Sequence, residues 1–162
     1  MGWFVLLPLL AASAARPHVG DSAPAFEAQT VAGTKARGDS LRGQITVVEF
    51  FASWCEPCKE SLAEVLAVRE SLGAHFDLMV VAVQGDVPAL RGFFANHPLP
   101  AGTVVALDGD GVLARAFGED RLPTTFLLDA KAIIRHINRG HGSGFRERVA
   151  RWLSSMLATA GP

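Results

Sequence analysis

The chain has 162 residues, 49% of them apolar and 19% charged, which suits one domain with a packed core and excludes wholesale disorder. Fifteen Lys and Arg against sixteen Asp and Glu leave a net charge of −1, without the basic excess a general nucleic-acid binder needs. Two cysteines are too few for a disulfide scaffold or a four-thiolate zinc site.

Residues 2–15 carry no charge, and the apolar run breaks at Arg16-Pro17. As a helix, a run of this length spans about 21 Å, short of the roughly 30 Å hydrocarbon core. With the small residues Ala12-Ser13-Ala14 behind it, residues 1–14 are expected to be a secretory signal cleaved after Ala14, and residues 19–160 a single folded domain. No Lys or Arg precedes the apolar stretch, as such signals usually require. The competing reading, a buried N-terminal helix, has Pro8 in mid-run and no polar face against it.

The segments then alternate in type. Ala25 to Val31 reads as an edge strand, followed by a loop through Gly38 and a single helical turn at Asp39-Ser40-Leu41. Ile45 to Phe51 (ITVVEFF) is nearly continuously apolar and β-branched, as a strand buried on both faces must be. Lys59 to Leu72 places Leu62, Val65, Leu66 and Leu72 on one helical face. Phe76 to Val83 is a second buried strand, Val87 to Asn96 a helix, Val104 to Leu107 a short strand, and Asp108 to Gly111 a turn. Thr124 to Leu128 and Ala132 to Asn138 form a hairpin. A closing helix carries Phe145, Val149, Trp152, Leu153 and Met156 at core spacing. Strand–helix alternation implies parallel pairing, and the terminal hairpin adds antiparallel strands.

Trp54-Cys55-Glu56-Pro57-Cys58 lies where the ITVVEFF strand ends and a helix begins. A thiol at a helix N-terminus faces unpaired N–H groups and the positive end of the dipole, which stabilise thiolate. The second thiol is close enough to resolve a mixed disulfide formed on the first. Cys55 is thus the expected attacking thiol and Cys58 the resolver. Zinc binding would need two further ligands, and none of His18, His75, His97, His136 and His141 is near the pair in sequence. A purely structural disulfide would close too small a loop to add much stability.

FFASWCEPCKE resembles the active-site segment of the thioredoxin superfamily, and RLPTTFLLD its second signature. With the lead-in VGDSAPAFEAQTVAG…LRG and Glu56-Pro57 between the cysteines, the domain is similar to exported thiol-disulfide oxidoreductases of the TlpA-like and ResA-like kind. The resemblance implies an α/β thioredoxin fold, a central mixed β-sheet flanked by helices, with an N-terminal β extension. It implies a cis Leu122-Pro123 peptide against the disulfide, where Leu122 could pair with an extended substrate segment. By its residues alone, Pro123 reads as a strand-entry proline. Trp54, Glu56 and Pro57 join Leu122 and Pro123 as expected substrate contacts.

Glu49 is the lone carboxylate of the ITVVEFF strand. In thioredoxins its register lies beneath the second cysteine, where a desolvated carboxyl with a raised pKa assists proton transfer. The alternative is a side chain that escapes to the sheet edge. Glu56 is expected to be exposed and, by opposing the Cys55 thiolate, to make the couple a weaker oxidant. One departure stands out. Members commonly carry Glu three residues after the second cysteine and Pro two later, but this chain has Ser61 and Ala63. Ala132 likewise replaces the glycine usual in the hairpin turn.

These features point to an enzyme that reduces disulfides in partner proteins, apocytochrome c or copper-site thiol pairs being the family's usual substrates. It needs no cofactor or metal, is expected to be monomeric, and requires a membrane-bound electron donor. A peroxidase of the peroxiredoxin type would want a hydroxyl at Ala52 and a proline at Val48. A copper carrier would want a C-x-x-x-C spacing with a downstream histidine, for which His136 and His141 are the candidates.

Overall fold

The computed structural model describes residues 16–73 and 76–160; the expected signal segment and His75 lie outside them. In chain order the elements are β1 (Glu27–Gln29), β2 (Lys35–Arg37), a 3-10 turn (Gly38–Leu41), β3 (Thr46–Phe51), α1 (Glu56–Ser71) and β4 (Asp77–Ala82). They continue with α2 (Val87–Asn96), β5 (Val104–Leu107), α3 (Val112–Ala116), β6 (Thr124–Leu128), β7 (Ile134–Arg139) and α4 (Phe145–Ala160). The main sheet has the order β5-β4-β3-β6-β7. β3 pairs parallel with β4 and antiparallel with β6, while β4–β5 is parallel and β6–β7 antiparallel. This is the expected thioredoxin-like mixed sheet, and β3 is buried along its whole length.

The period-2 alternation of β3 divides the core. Val47 and Phe51 face one side, where Leu62 and Val65 of α1 and Phe145, Val149 and Leu153 of α4 cover them. Val48 and Phe50 face the other, with Leu113, Phe117 and Phe126, and with Ala28, Ala36 and Leu41 of the N-terminal extension. Phe117 centres this second cluster, 5.5 Å from Phe50 and 5.0 Å from Phe126 in edge-on contacts. Of the expected α4 stripe, Trp152 is the residue short of full burial; it stacks on His136 at 4.6 Å.

The extension differs from expectation. The strand expected over Ala25 to Val31 is only β1, and it pairs not with the main sheet but with β2, in the stretch read as loop. Thr30 explains the reversal: its N–H donates to the Thr34 carbonyl (2.8 Å), and the two hydroxyls bond across the turn (2.8 Å). Glu27 adds ion pairs to Lys35 and Arg37. The extension also reaches both edges of the main sheet, bridging Ser22 to Ile133 beyond β7's start and Thr30 to Ala106 of β5. Both edges are thereby shielded from intermolecular pairing along part of their length.

Helix α3 is absent from the sequence reading, which stopped at a turn over Asp108 to Gly111. The buried Asp108 carboxylate accepts from Leu113 N (2.7 Å) and Ala114 N (2.8 Å), so the turn residue caps a short helix. Burial raises the Asp108 carboxyl pKa. The hairpin's second strand starts at Ile134 rather than Ala132, because Ala132 takes a left-handed conformation (φ 60°), the region glycine occupies without strain.

Candidate active site

The site is built at the C-terminal end of β3. Ala52 ends the buried run, and Cys55 N–H donates back to its carbonyl at 3.1 Å. Cys55 is the N-cap of α1, its sulfur accepting the Cys58 N–H at 3.3 Å, and Pro57 occupies the first turn, where its missing N–H costs no helix bond. The two cysteines form a disulfide with their Cα atoms 5.2 Å apart. Their accessibilities separate them: Cys55 keeps 7% of its surface, Cys58 none. On reduction, the N–H held at the Cys55 sulfur remains to stabilise its thiolate.

Around the pair, Trp54 is 70% exposed and Pro57 lies at the surface. Glu56 is exposed as expected, but it is paired with Lys59 at 2.9 Å, so part of its charge beside Cys55 is met. Leu122-Pro123 is a cis peptide, with Leu122 partly buried and Pro123 buried. In its loop the Pro123 carbonyl accepts from Gly140 N–H at 2.7 Å, and the Arg121 carbonyl lies 3.0 Å from the Thr124 hydroxyl. Among the described residues, the main-chain N–H and C=O of Leu122 between them enter no hydrogen bond.

Glu49 does not escape to the sheet edge. It is wholly buried and shares the face of Val47 and Phe51, beneath α1. Its Oε1 accepts from the Ser61 hydroxyl at 2.5 Å and its Oε2 from the Thr125 hydroxyl at 2.6 Å. Ser61 lies one helical turn after Cys58 on the same face of α1, which brings the carboxylate network under the second cysteine. Burial pushes the Glu49 carboxyl up to about 7, against the pull of the two hydroxyl donors.

Three of these contacts escaped the sequence reading. Ser61 was noted only as a departure from the family, although a fully buried serine in that position is the carboxylate's first partner. Thr125 is its cross-strand neighbour, paired opposite Glu49 between β3 and β6. Gln84, just after β4, accepts the Ser53 N–H at 2.6 Å and steadies the loop before Trp54. A buried polar residue flanking a motif needs a partner, and that was the available signal.

Of the histidines, the two weighed for a copper site have other neighbours than the cysteines. His136 stacks on Trp152, while His141 contacts Glu60 at 3.2 Å and Glu64 at 3.5 Å. Ala52, where a peroxidase would carry a hydroxyl, is buried and brings none.

A profile of the AhpC/TSA family matches residues 19–137. The chain is 26% identical over 125 residues to the thiol-disulfide oxidoreductase ResA of Geobacillus thermodenitrificans, covering 75% of this chain and 70% of that protein. It is 31% identical over 124 residues to a thiol:disulfide interchange protein DsbE homolog of Paracoccus denitrificans, covering 75% and 66%. Among solved structures, one assigned as a DsbE from Chlorobium tepidum shares the fold with a TM-score of 0.76 and 26% identity, over 86% of this chain and 98% of that one. With a Cys55–Cys58 couple at the N-terminus of its first long helix and relatives named for dithiol exchange, the chain belongs to the AhpC/TSA family as a thiol-disulfide oxidoreductase of the ResA and DsbE type.

Proposed function

We propose that the protein reduces disulfides in partner proteins, with Cys55 as the attacking thiol, Cys58 as the resolver and Glu49 as the proton acceptor for Cys58. The observation that carries the reading is the asymmetry of the couple: an accessible sulfur at a helix N-cap, and a fully buried one above a buried carboxylate network. The Cys55 thiolate attacks one sulfur of the partner's disulfide, forming a mixed disulfide and releasing the partner's other sulfur as a thiolate. Cys58 gives its proton toward Glu49 and attacks the Cys55 sulfur. The partner leaves with both sulfurs reduced, and the chain is left with the Cys55–Cys58 disulfide. Two electrons have moved, and a dithiol donor must restore them.

Trp54, Glu56, Pro57 and Leu122-Pro123 form the proposed substrate contact, with Leu122 offering main-chain groups to an extended segment. The reducing direction is supported by Glu56, whose charge works against the Cys55 thiolate; the exposed Lys59 pair blunts this without abolishing it. Partners of the cytochrome c maturation or copper-site kind, a membrane-bound donor, a monomeric state and export complete the reading. Export rests on the uncharged apolar run of residues 2–15.

Three measurements test the exchange chemistry, its direction and export. With Cys58→Ser, a mixed disulfide to substrate or glutathione should accumulate, and with Cys55→Ser none should form; reductase activity in Cys55→Ser would reverse the assignment. The reduction potential of the couple, equilibrated against dithiol buffers, should lie nearer thioredoxin's roughly −270 mV than DsbA's roughly −120 mV. A value at the oxidising end would make the protein an oxidase or isomerase. Protein recovered from the native host should begin at or near Ala15 and fractionate with the envelope, whereas Met1 on a cytosolic species would remove the export claim.

Glu49 gives a pH test with a defined sign. Its carboxyl is raised from an ordinary 4.5 to about 7 in the folded chain. Its contribution to stability is therefore full below about pH 4.5 and lost as the pH rises through about 7, a loss on the order of 3 kcal/mol. Glu49→Gln should flatten the stability curve across that window in urea titrations. It should also slow mixed-disulfide resolution by about 10-fold to 100-fold and remove the inflection near neutral pH from the rate profile. An unchanged rate profile would take Glu49 out of the chemistry.

A further inference from the structure

Another buried carboxylate lies in the loop that leads to Pro123. Glu119 belongs to the loop between α3 and β6, and its side chain is 1% exposed. Its Oε1 accepts two hydrogen bonds from one guanidinium, Arg139 Nη2 at 2.8 Å and Nε at 3.1 Å, while its Oε2 accepts from the Thr124 hydroxyl at 3.0 Å. Thr124 and Arg139 are register partners across β6 and β7. Glu119 thus reaches from the start of the loop to the strand pair at its end and staples residues 119–124 closed. Its own N–H is tied to the Ala114 carbonyl at 2.7 Å, so the staple has a fixed base on α3.

The closure is held at its base and on the carbonyl side of its last turn, while the main chains of Asp120 and Leu122 enter no hydrogen bond among the described residues. The Thr124 hydroxyl that meets Glu119 also lies 3.0 Å from the Arg121 carbonyl, and Gly140 N–H holds the Pro123 carbonyl at 2.7 Å. We propose that Glu119 is a positioning residue: locked between Arg139 and Thr124, its carboxylate holds the Leu122 main chain in the place where an extended segment of the disulfide partner pairs with it. The proposal rests on the reading of Leu122-Pro123 as a substrate contact. A buried ion pair is poor evidence for stability, because well-packed apolar residues in its place are often neutral or stabilising. Its value here is geometric, since the guanidinium fork fixes direction as well as distance. Displacing the Leu122 main chain weakens the hydrogen bonds it offers the partner segment, a loss of binding that shows in KM and not in kcat.

The test compares the full chain with Glu119→Gln and with the double variant Glu119→Leu/Arg139→Met, which removes the pair without leaving a buried charge. Insulin serves as the protein disulfide, and 5,5′-dithiobis(2-nitrobenzoate) as a small disulfide that needs no main-chain pairing. Both variants should raise KM for insulin about 10-fold while kcat and the small-disulfide rate hold, and the double variant should unfold at or above the parent's temperature. Equal losses with both substrates, or an unchanged KM, would overturn the proposal. Amide exchange separates it from the reading beneath it. In Cys58→Ser linked through Cys55 to a cysteine-containing peptide, the Leu122 N–H should gain protection, and the Glu119→Leu/Arg139→Met changes should reduce that gain about 10-fold. A gain that survives those changes overturns the role of Glu119 alone. No gain in the parent linkage overturns the Leu122 contact and the proposal together.

Discussion

The burial of β3 on both faces constrains the rest of the molecule. Its side chains leave water completely, which requires helices α1 and α4 on one side and the Phe117 cluster with the N-terminal extension on the other. A central strand covered in this way has only its ends at the surface. The chain must therefore turn from strand to helix at the C-terminal end, and this turn sets Cys55 at the cap of α1. Chemistry at the strand end follows from the same burial that stabilises the sheet, at about 1.5–3 kcal/mol for each large apolar side chain removed from water.

Burial also decides the condition of the one acid in that strand. A carboxylate inside an apolar layer is tolerable only if its oxygens are met or its charge is given up. Ser61 and Thr125 meet both oxygens, yet neither carries charge, and desolvation outweighs them. Had residue 61 been the Glu common in the family, two acids would have faced one another across α1 and β3. Serine leaves a single acid there, with a hydroxyl partner on the helix that carries Cys58.

Much of this was legible in the sequence because it rests on local pattern. ITVVEFF announces a doubly buried strand through its unbroken apolar run, and Val87 to Asn96, Val104 to Leu107 and Thr124 to Leu128 have the bounds expected of them. What stayed hidden depends on partners far away in sequence or on a single side chain. β2 is three polar or small residues whose strand character comes only from β1 opposite. α3 exists because Asp108 turns back to cap it, although Asp-Gly repeats otherwise signal a plain turn. Glu49 stood out as an acid in an apolar strand, but its partner Thr125 is 76 residues away and no spacing rule connects them. Glu119 sat unremarked in a charged run, GEDR, where solvent exposure is the ordinary expectation and Arg139 supplies the reason it is not met.

The buried acids Glu49 and Glu119 show how the choice of partner divides the work. A hydroxyl can donate to a carboxylate and accept from a carboxylic acid, so the Ser61–Glu49–Thr125 arrangement serves either protonation state without moving. That suits the proton-acceptor role proposed for Glu49. A guanidinium only donates, and it does so in a rigid plane, so Arg139 gives the Glu119 carboxylate a fixed orientation. That suits a group whose task is to keep main chain still. The hydroxyls of two successive residues, Thr124 and Thr125, point to opposite faces of β6 and serve one acid each. Strand alternation thus lets the short run after Pro123 reach both the Glu119 carboxylate of the preceding loop and the Glu49 carboxylate under α1.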